Sequence, residues 1–106
     1  MFDALEMSLE VMQQIAPIEG RIRRQSLGLA KQLARAAESV SLNLAEGRLR
    51  RDGDQRRHYQ MAAGSASELT TALRIARIRS YISDADFAAI DAPLDRVRAI
   101  LYRLTH

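Results

Sequence analysis

The chain has no cysteine, which excludes a disulfide framework, a thiolate nucleophile and any cysteine-bearing metal site. Aromatic residues make up only 5% of it and β-branched residues are few, so the pleated surfaces of a sheet have little to draw on. No run approaches the ~18 apolar residues of a membrane span. The opening residues carry Asp3, Glu6 and Glu10 where a secretory leader would carry bases and an apolar core. A cytoplasmic protein without membrane association is expected. Acidic charge is scarce in the middle of the chain: between residues 20 and 79 thirteen bases face five acids, although the whole chain is only +3. Such clustering raises the expectation of an acidic partner, RNA or DNA.

What is present is alanine and leucine, within an apolar fraction of 47% over 106 residues. These residues, with Arg, Glu and Gln, lose little side-chain entropy in a helix. The expectation is one all-α domain, residues 1–106, folded as an antiparallel up-down four-helix bundle.

Four periodic segments support it. The first runs from Asp3, a candidate cap with Glu6 three residues on, to about Arg24, with one row of Leu5, Leu9, Met12 and Ala16 and another of Val11, Ile15, Ile18 and Ile22. Pro17 should kink it. Ser26 can cap a second helix from about Leu27 to Leu49, whose Leu29, Leu33, Ala36, Ala37, Val40 and Leu44 share a core-facing stripe. A third helix, expected from about Gln55 to Ser80 with Asp52 or Asp54 as its cap, carries Ala62, Ala66, Leu69, Leu73 and Ala76 in a 4-3-4-3 seam. Ser83 with Asp86 reads as a capping box for the last, whose seam is Phe87, Ile90, Leu94, Val97, Leu101 and Leu104. Pro93 should bend that helix or mark a restart. Two helices show more apolar or small-residue face than a four-helix core covers, which predicts a homo-oligomer.

Two features stand apart from the core pattern. The turn from Gly47 to Gln55 gathers Arg48, Arg50, Arg51, Arg56 and Arg57. Along the flank of the second and third helices lies a polar row of Gln32, Ser39, Asn43, Glu46, Ser65 and Glu68, with Arg35 beside it. Unpaired buried polar groups cost a few kcal/mol, so an antiparallel pairing that lets the two halves satisfy each other is expected.

The run from Gln32 to Gly47 (Gln-Leu-Ala-Arg-Ala-Ala-Glu-Ser-Val-Ser-Leu-Asn-Leu-Ala-Glu-Gly), followed by the arginine turn and then Gly64-Ser65-Ala66-Ser67-Glu68, resembles the small bacterial four-helix bundle proteins first noticed as products of intervening sequences in large-subunit ribosomal RNA genes. That family is similar to the accessory variability determinant of diversity-generating retroelements. The matching positions are Gln32, Arg35, Ser39, Asn43, Glu46, Gly47, Gly64, Ser65 and Glu68. The resemblance implies a pentameric ring and, for the retroelement relatives, binding to a reverse transcriptase and to nucleic acid through a basic surface. Two positions depart from the family pattern: Ala34 stands where many members have a second arginine, and Ser41 where many have proline.

The turn arginines are the candidate nucleic-acid contacts, each a sequence-tolerant phosphate contact; the plain alternative is a solvated helix junction. With only Tyr59 near them in sequence, a base-stacking platform for single strands is disfavoured. The polar row reads first as a structural network. Its serines lack a nearby histidine in the pattern, and His58 is expected to face solvent. No metal site or cofactor is expected, since no Glu-x-x-His spacing occurs and the alanine seam leaves little cavity. The expected function is a non-enzymatic oligomeric binding protein that presents arginines to RNA, DNA or a nucleic-acid enzyme. The alternatives are a structural protein-protein adaptor and an enzyme with Glu46 and Glu68 facing a pocket.

Overall fold

The computed structural model describes residues 3–106. Four helices follow one another: α1 Ala4–Gln25, α2 Leu27–Arg48, α3 Asp52–Ile78 and α4 Asp84–Thr105. Each packs against two neighbours, α1 and α3 both lying against α2 and α4. Side-chain pairs give the direction: Arg48 reaches Asp3 at 3.0 Å, Ser39 meets Ser65 at 2.7 Å, Arg56 reaches Thr105 at 2.7 Å and Arg21 meets Asp86 at 3.1 Å. Every adjacent pair is therefore antiparallel, and one end of the bundle collects the start of α1, the α2–α3 turn and the end of α4.

The helix ends obey local chemistry. Asp3 accepts a hydrogen bond from the Leu5 amide at 2.8 Å, and Ser26 accepts one from Leu29 at 3.1 Å while ending α1. Ser83 and Asp86 form the reciprocal capping box, at 3.0 and 3.1 Å. At the end of α3, Ser80 takes a left-handed φ of 61° while the Tyr81 amide bonds back to the Ala76 carbonyl at 2.8 Å, the Schellman closure usually built with glycine.

The start of α3 differs from expectation. Its cap is Arg51, which makes no side-chain capping bond; Asp52 is already the first helical residue, with a left-handed φ of 52° that aspartate tolerates better than most residues. Asp54 lies in the first turn, where its charge suits the helix dipole. The turn is closed instead by Gln55, whose amide donates to the carbonyls of Gly47 at 2.9 Å and Arg50 at 3.1 Å. The first belongs to the last turn of α2, where it also accepts the Arg50 amide at 3.2 Å, and the second to the turn itself.

Both prolines lie inside continuous helices. α1 runs unbroken through Pro17 on its exposed face, so the carbonyl that loses a partner sits on the solvent side. α4 continues through Pro93, which is itself buried, and no restart occurs.

The core is the second row of α1 with the expected stripes of α2, α3 and α4. Leu29 and Phe87 are half-buried and pack against the core from its edge; Leu104 is 42% exposed, and Thr105 is buried in its place. After Leu101 a step of four rather than three keeps the α4 stripe on the core, and the Thr105 hydroxyl is satisfied by the Leu101 carbonyl at 2.7 Å. Buried alanines on both α2 and α3 let these two helices make the most extensive contact in the bundle.

Ser41, one of the two positions departing from the family pattern, is buried and bonds to Ser8 of α1 at 2.8 Å. A proline there would supply no hydroxyl for Ser8.

The α4 capping box has a consequence for acid stability. The Ser83 backbone and side-chain hydrogen bonds, helped by Arg21, hold the Asp86 carboxyl below the ordinary aspartate range. A depressed folded-state pKa stabilises above the unfolded value of about 3.9 and loses that contribution as pH falls through the folded value. Thermal unfolding followed by circular dichroism should therefore show stability falling below about pH 4, with a shallower fall in Asp86→Asn. Parallel curves for the two proteins would show that the cap is not linked to protons.

Candidate nucleic-acid interface

The arginine turn is closely packed and tied off by hydrogen bonds. Gly47 is buried under the ring of Tyr59: a Cβ there would come within 2.6 and 2.9 Å of ring carbons. Only glycine lets α2 end against α3 at that distance. With Gln55 tying off the Gly47 and Arg50 carbonyls, the five arginines project from one junction.

All five side chains are exposed, but they differ in their commitments. Arg48 pairs with Asp3 at 3.0 Å and ties down the start of α1. Arg56 donates to the Thr105 carbonyl and so completes the C-terminal turn of α4. Arg50 lies 3.5 Å from Glu46 and 3.7 Å from Asp54, while Arg57 bonds Asp54 at 3.0 Å. The Arg57 hydrogen bond holds the Asp54 carboxyl below the usual carboxylate range. Arg51 makes no ion pair among the described residues.

The polar row is divided by the structure into three parts. Ser65 donates to Ser39, and Asn43 donates to the Ser39 carbonyl at 2.9 Å and hydroxyl at 3.2 Å. Its remaining oxygen faces His58 Nδ1 at 3.2 Å, which assigns the Nδ1–H tautomer because the amide oxygen can only accept. His58 is thus half-buried and part of the network rather than solvent-facing. The signal for it was its place four residues before Ala62 on the α3 seam. Glu46 turns away to Arg50, and Gln32 and Glu68 stand exposed on the rim of a separate groove with Leu29 and Ile75. Arg35 is exposed and makes no side-chain hydrogen bond or ion pair among the described residues.

Beside the network, Leu42, Asn43, Glu46, Leu49 and His58 line an open cleft of about 390 Å³. Leu42 and Leu49, one heptad apart on α2, are 69% and 81% exposed. Among the described residues no three metal-ligating groups come together, and no helix is long and apolar enough to cross a membrane.

Fold and site together define a small all-helical bundle with an arginine-rich end and an apolar flank. The chain belongs to the 23S rRNA-intervening sequence protein family, whose family model matches residues 2–103. Its fold is similar to the crystal structure of a protein of unknown function from the S23 ribosomal protein family of Bacteroides thetaiotaomicron, with a TM-score of 0.88 at 18% identity over 96% of this chain and 97% of that one. Among curated proteins no sequence matches.

Proposed function

We propose that this protein is a cytoplasmic, non-enzymatic, oligomeric binding protein whose arginine-rich end engages nucleic acid, either directly or while bound to a nucleic-acid enzyme such as a reverse transcriptase. The observation that carries the reading is the convergence of Arg48, Arg50, Arg51, Arg56 and Arg57 on one end of the bundle. The ion pairs of Arg48, Arg50 and Arg57 are exposed and individually weak, so phosphates can displace the carboxylates. The exposed Leu42 and Leu49 flank this end and suit self-association. A ring, pentameric by family resemblance, would repeat the arginine patch and raise avidity.

The same apolar cleft favours a second reading, a protein-protein adaptor whose arginines only keep it soluble. A salt titration of labelled RNA and duplex DNA, on protein whose mass is set by light scattering, separates the two. Nucleic-acid binding should show log affinity falling linearly with log salt, with a slope magnitude of about 3 to 5 for the arginines that reach phosphates. Absence of binding at about 50 mM salt would overturn the first reading in favour of the adaptor.

A further inference from the structure

The groove between α3 and α4 opens beside the arginine end and holds about 340 Å³. One wall is Ser67, Thr71 and Arg74; the other is Arg98, Tyr102 and His106. Tyr102 lies face to face with His106, ring centroids 4.0 Å apart and planes 15° from parallel. The His106 ring is fixed by Nδ1–H, which lies 3.1 Å from both the Tyr102 carbonyl and the Thr105 hydroxyl. Because Tyr102 remains 61% exposed, the pair offers an open aromatic surface. Arg56 bonds the carbonyl of Thr105, next to the stack, so this surface is continuous with the turn arginines although the residues are 49 positions apart.

The two groove arginines are not equivalent. Arg98 is committed to Asp91 and Asp95, each at 3.0 Å, and to Thr70 at 2.8 Å; it shapes the wall. Arg74 is exposed and makes no ion pair among the described residues, which leaves it available to an anion.

We infer that the α3–α4 groove is a single-strand site, in which one unpaired base stacks on the Tyr102–His106 pair while phosphates several nucleotides apart on the same strand meet Arg56 near the stack and Arg74 farther along α3, about 27 Å away along the helix axis. The inference rests on the proposed nucleic-acid reading and names the state of the strand. A base in a duplex is stacked on both faces and cannot use the platform, whereas a single strand presents an unoccupied π-face beside its phosphates.

The test is fluorescence anisotropy on the full chain with an unstructured strand of about 12 nucleotides, within the span of known single-strand grooves, and with a blunt duplex of the same sequence. The strand should bind about tenfold tighter than the duplex; Tyr102→Ala should lose about that factor for the strand alone, the size expected of one lost stacking contact. Tyr102→Phe keeps the π-face and should bind normally. Arg74→Ala, at an exposed site that leaves the fold intact, should weaken the strand about threefold more than the duplex. Millimolar adenosine monophosphate should not displace the strand; displacement at matched concentration would make this a mononucleotide site and overturn the inference. Equal affinity for strand and duplex, or no effect of Tyr102→Ala, would overturn it while the proposed function stands. Failure to bind either probe would remove both.

Discussion

Truncation of Leu73 to alanine is expected to destabilise the bundle by about 3 kcal/mol, enough to lower its thermal midpoint by more than about 10 °C. Leu73 is fully buried in α3, and its neighbours on that helix's buried face include Ala66, Ala72 and Ala76. An alanine-rich seam has few large side chains, so each leucine fills a larger share of the interior. The backbones already lie close, and the helices cannot close further to fill the space left behind. Urea unfolding at fixed protein concentration measures the effect, since stability coupled to oligomerisation depends on concentration. Leu42→Ala is the contrasting case: that side chain is mostly exposed, and its loss should leave monomer stability within about 0.5 kcal/mol while lowering the mass seen by light scattering. A cost below about 1 kcal/mol for Leu73→Ala would mean that the interior is not packed as described.

Reversal of charge at Arg50 and Arg51 is expected to weaken nucleic-acid binding by more than about 100-fold at low salt, and to reduce the salt slope by about two. Arg51 has no ion pair among the described residues, and Arg50 has only long ones to Glu46 and Asp54. Both are therefore available to phosphates. In Arg50→Glu the new carboxylate stands in the turn near Glu46 and Asp54, a weak repulsion at an exposed site. The helix content should not change. Arg23→Glu with Arg24→Glu makes the same change in net charge at the opposite end of the bundle. If that pair weakens binding as much, net charge rather than the arginine turn governs it, and the assignment of the interface fails.

How much of this could be read from the chain depends on the separation of the residues involved. Asp3, Ser26 and the Ser83–Asp86 box act within three residues of themselves, so type and spacing suffice to identify them. The 4-3 seams of α3 and α4 were legible because a helix repeats its face every few residues, with Leu104 lost only where a three-step and a four-step were both open. The start of α3 departs from its local signals for a different reason. A cap-forming aspartate is available at two positions, but Gln55 closes the turn from the other side, by bonding the Gly47 carbonyl of the preceding helix and the Arg50 carbonyl of the turn.

The amino-acid sequence by itself determined that the protein is helical, where each helix begins and ends to within a few residues, and the buried stripes of α2, α3 and α4, because all of these rest on local entropy, capping and periodicity; which of the two apolar rows of α1 enters the core was decided by the tertiary structure. Only the tertiary structure decided which polar groups meet. Ser8 and Ser41 are 33 residues apart, Asn43 and His58 are 15 apart, and Arg56 and Thr105 are 49 apart. Those meetings depend on how far one helix slides along its neighbour and how it is rotated about its own axis. Both are set by the sum of many core contacts, and a slip of one turn would separate every pair. The placing of Tyr102 and His106 beside the arginine end follows from the same register, which is why the aromatic surface was missing from a reading confined to neighbours in sequence.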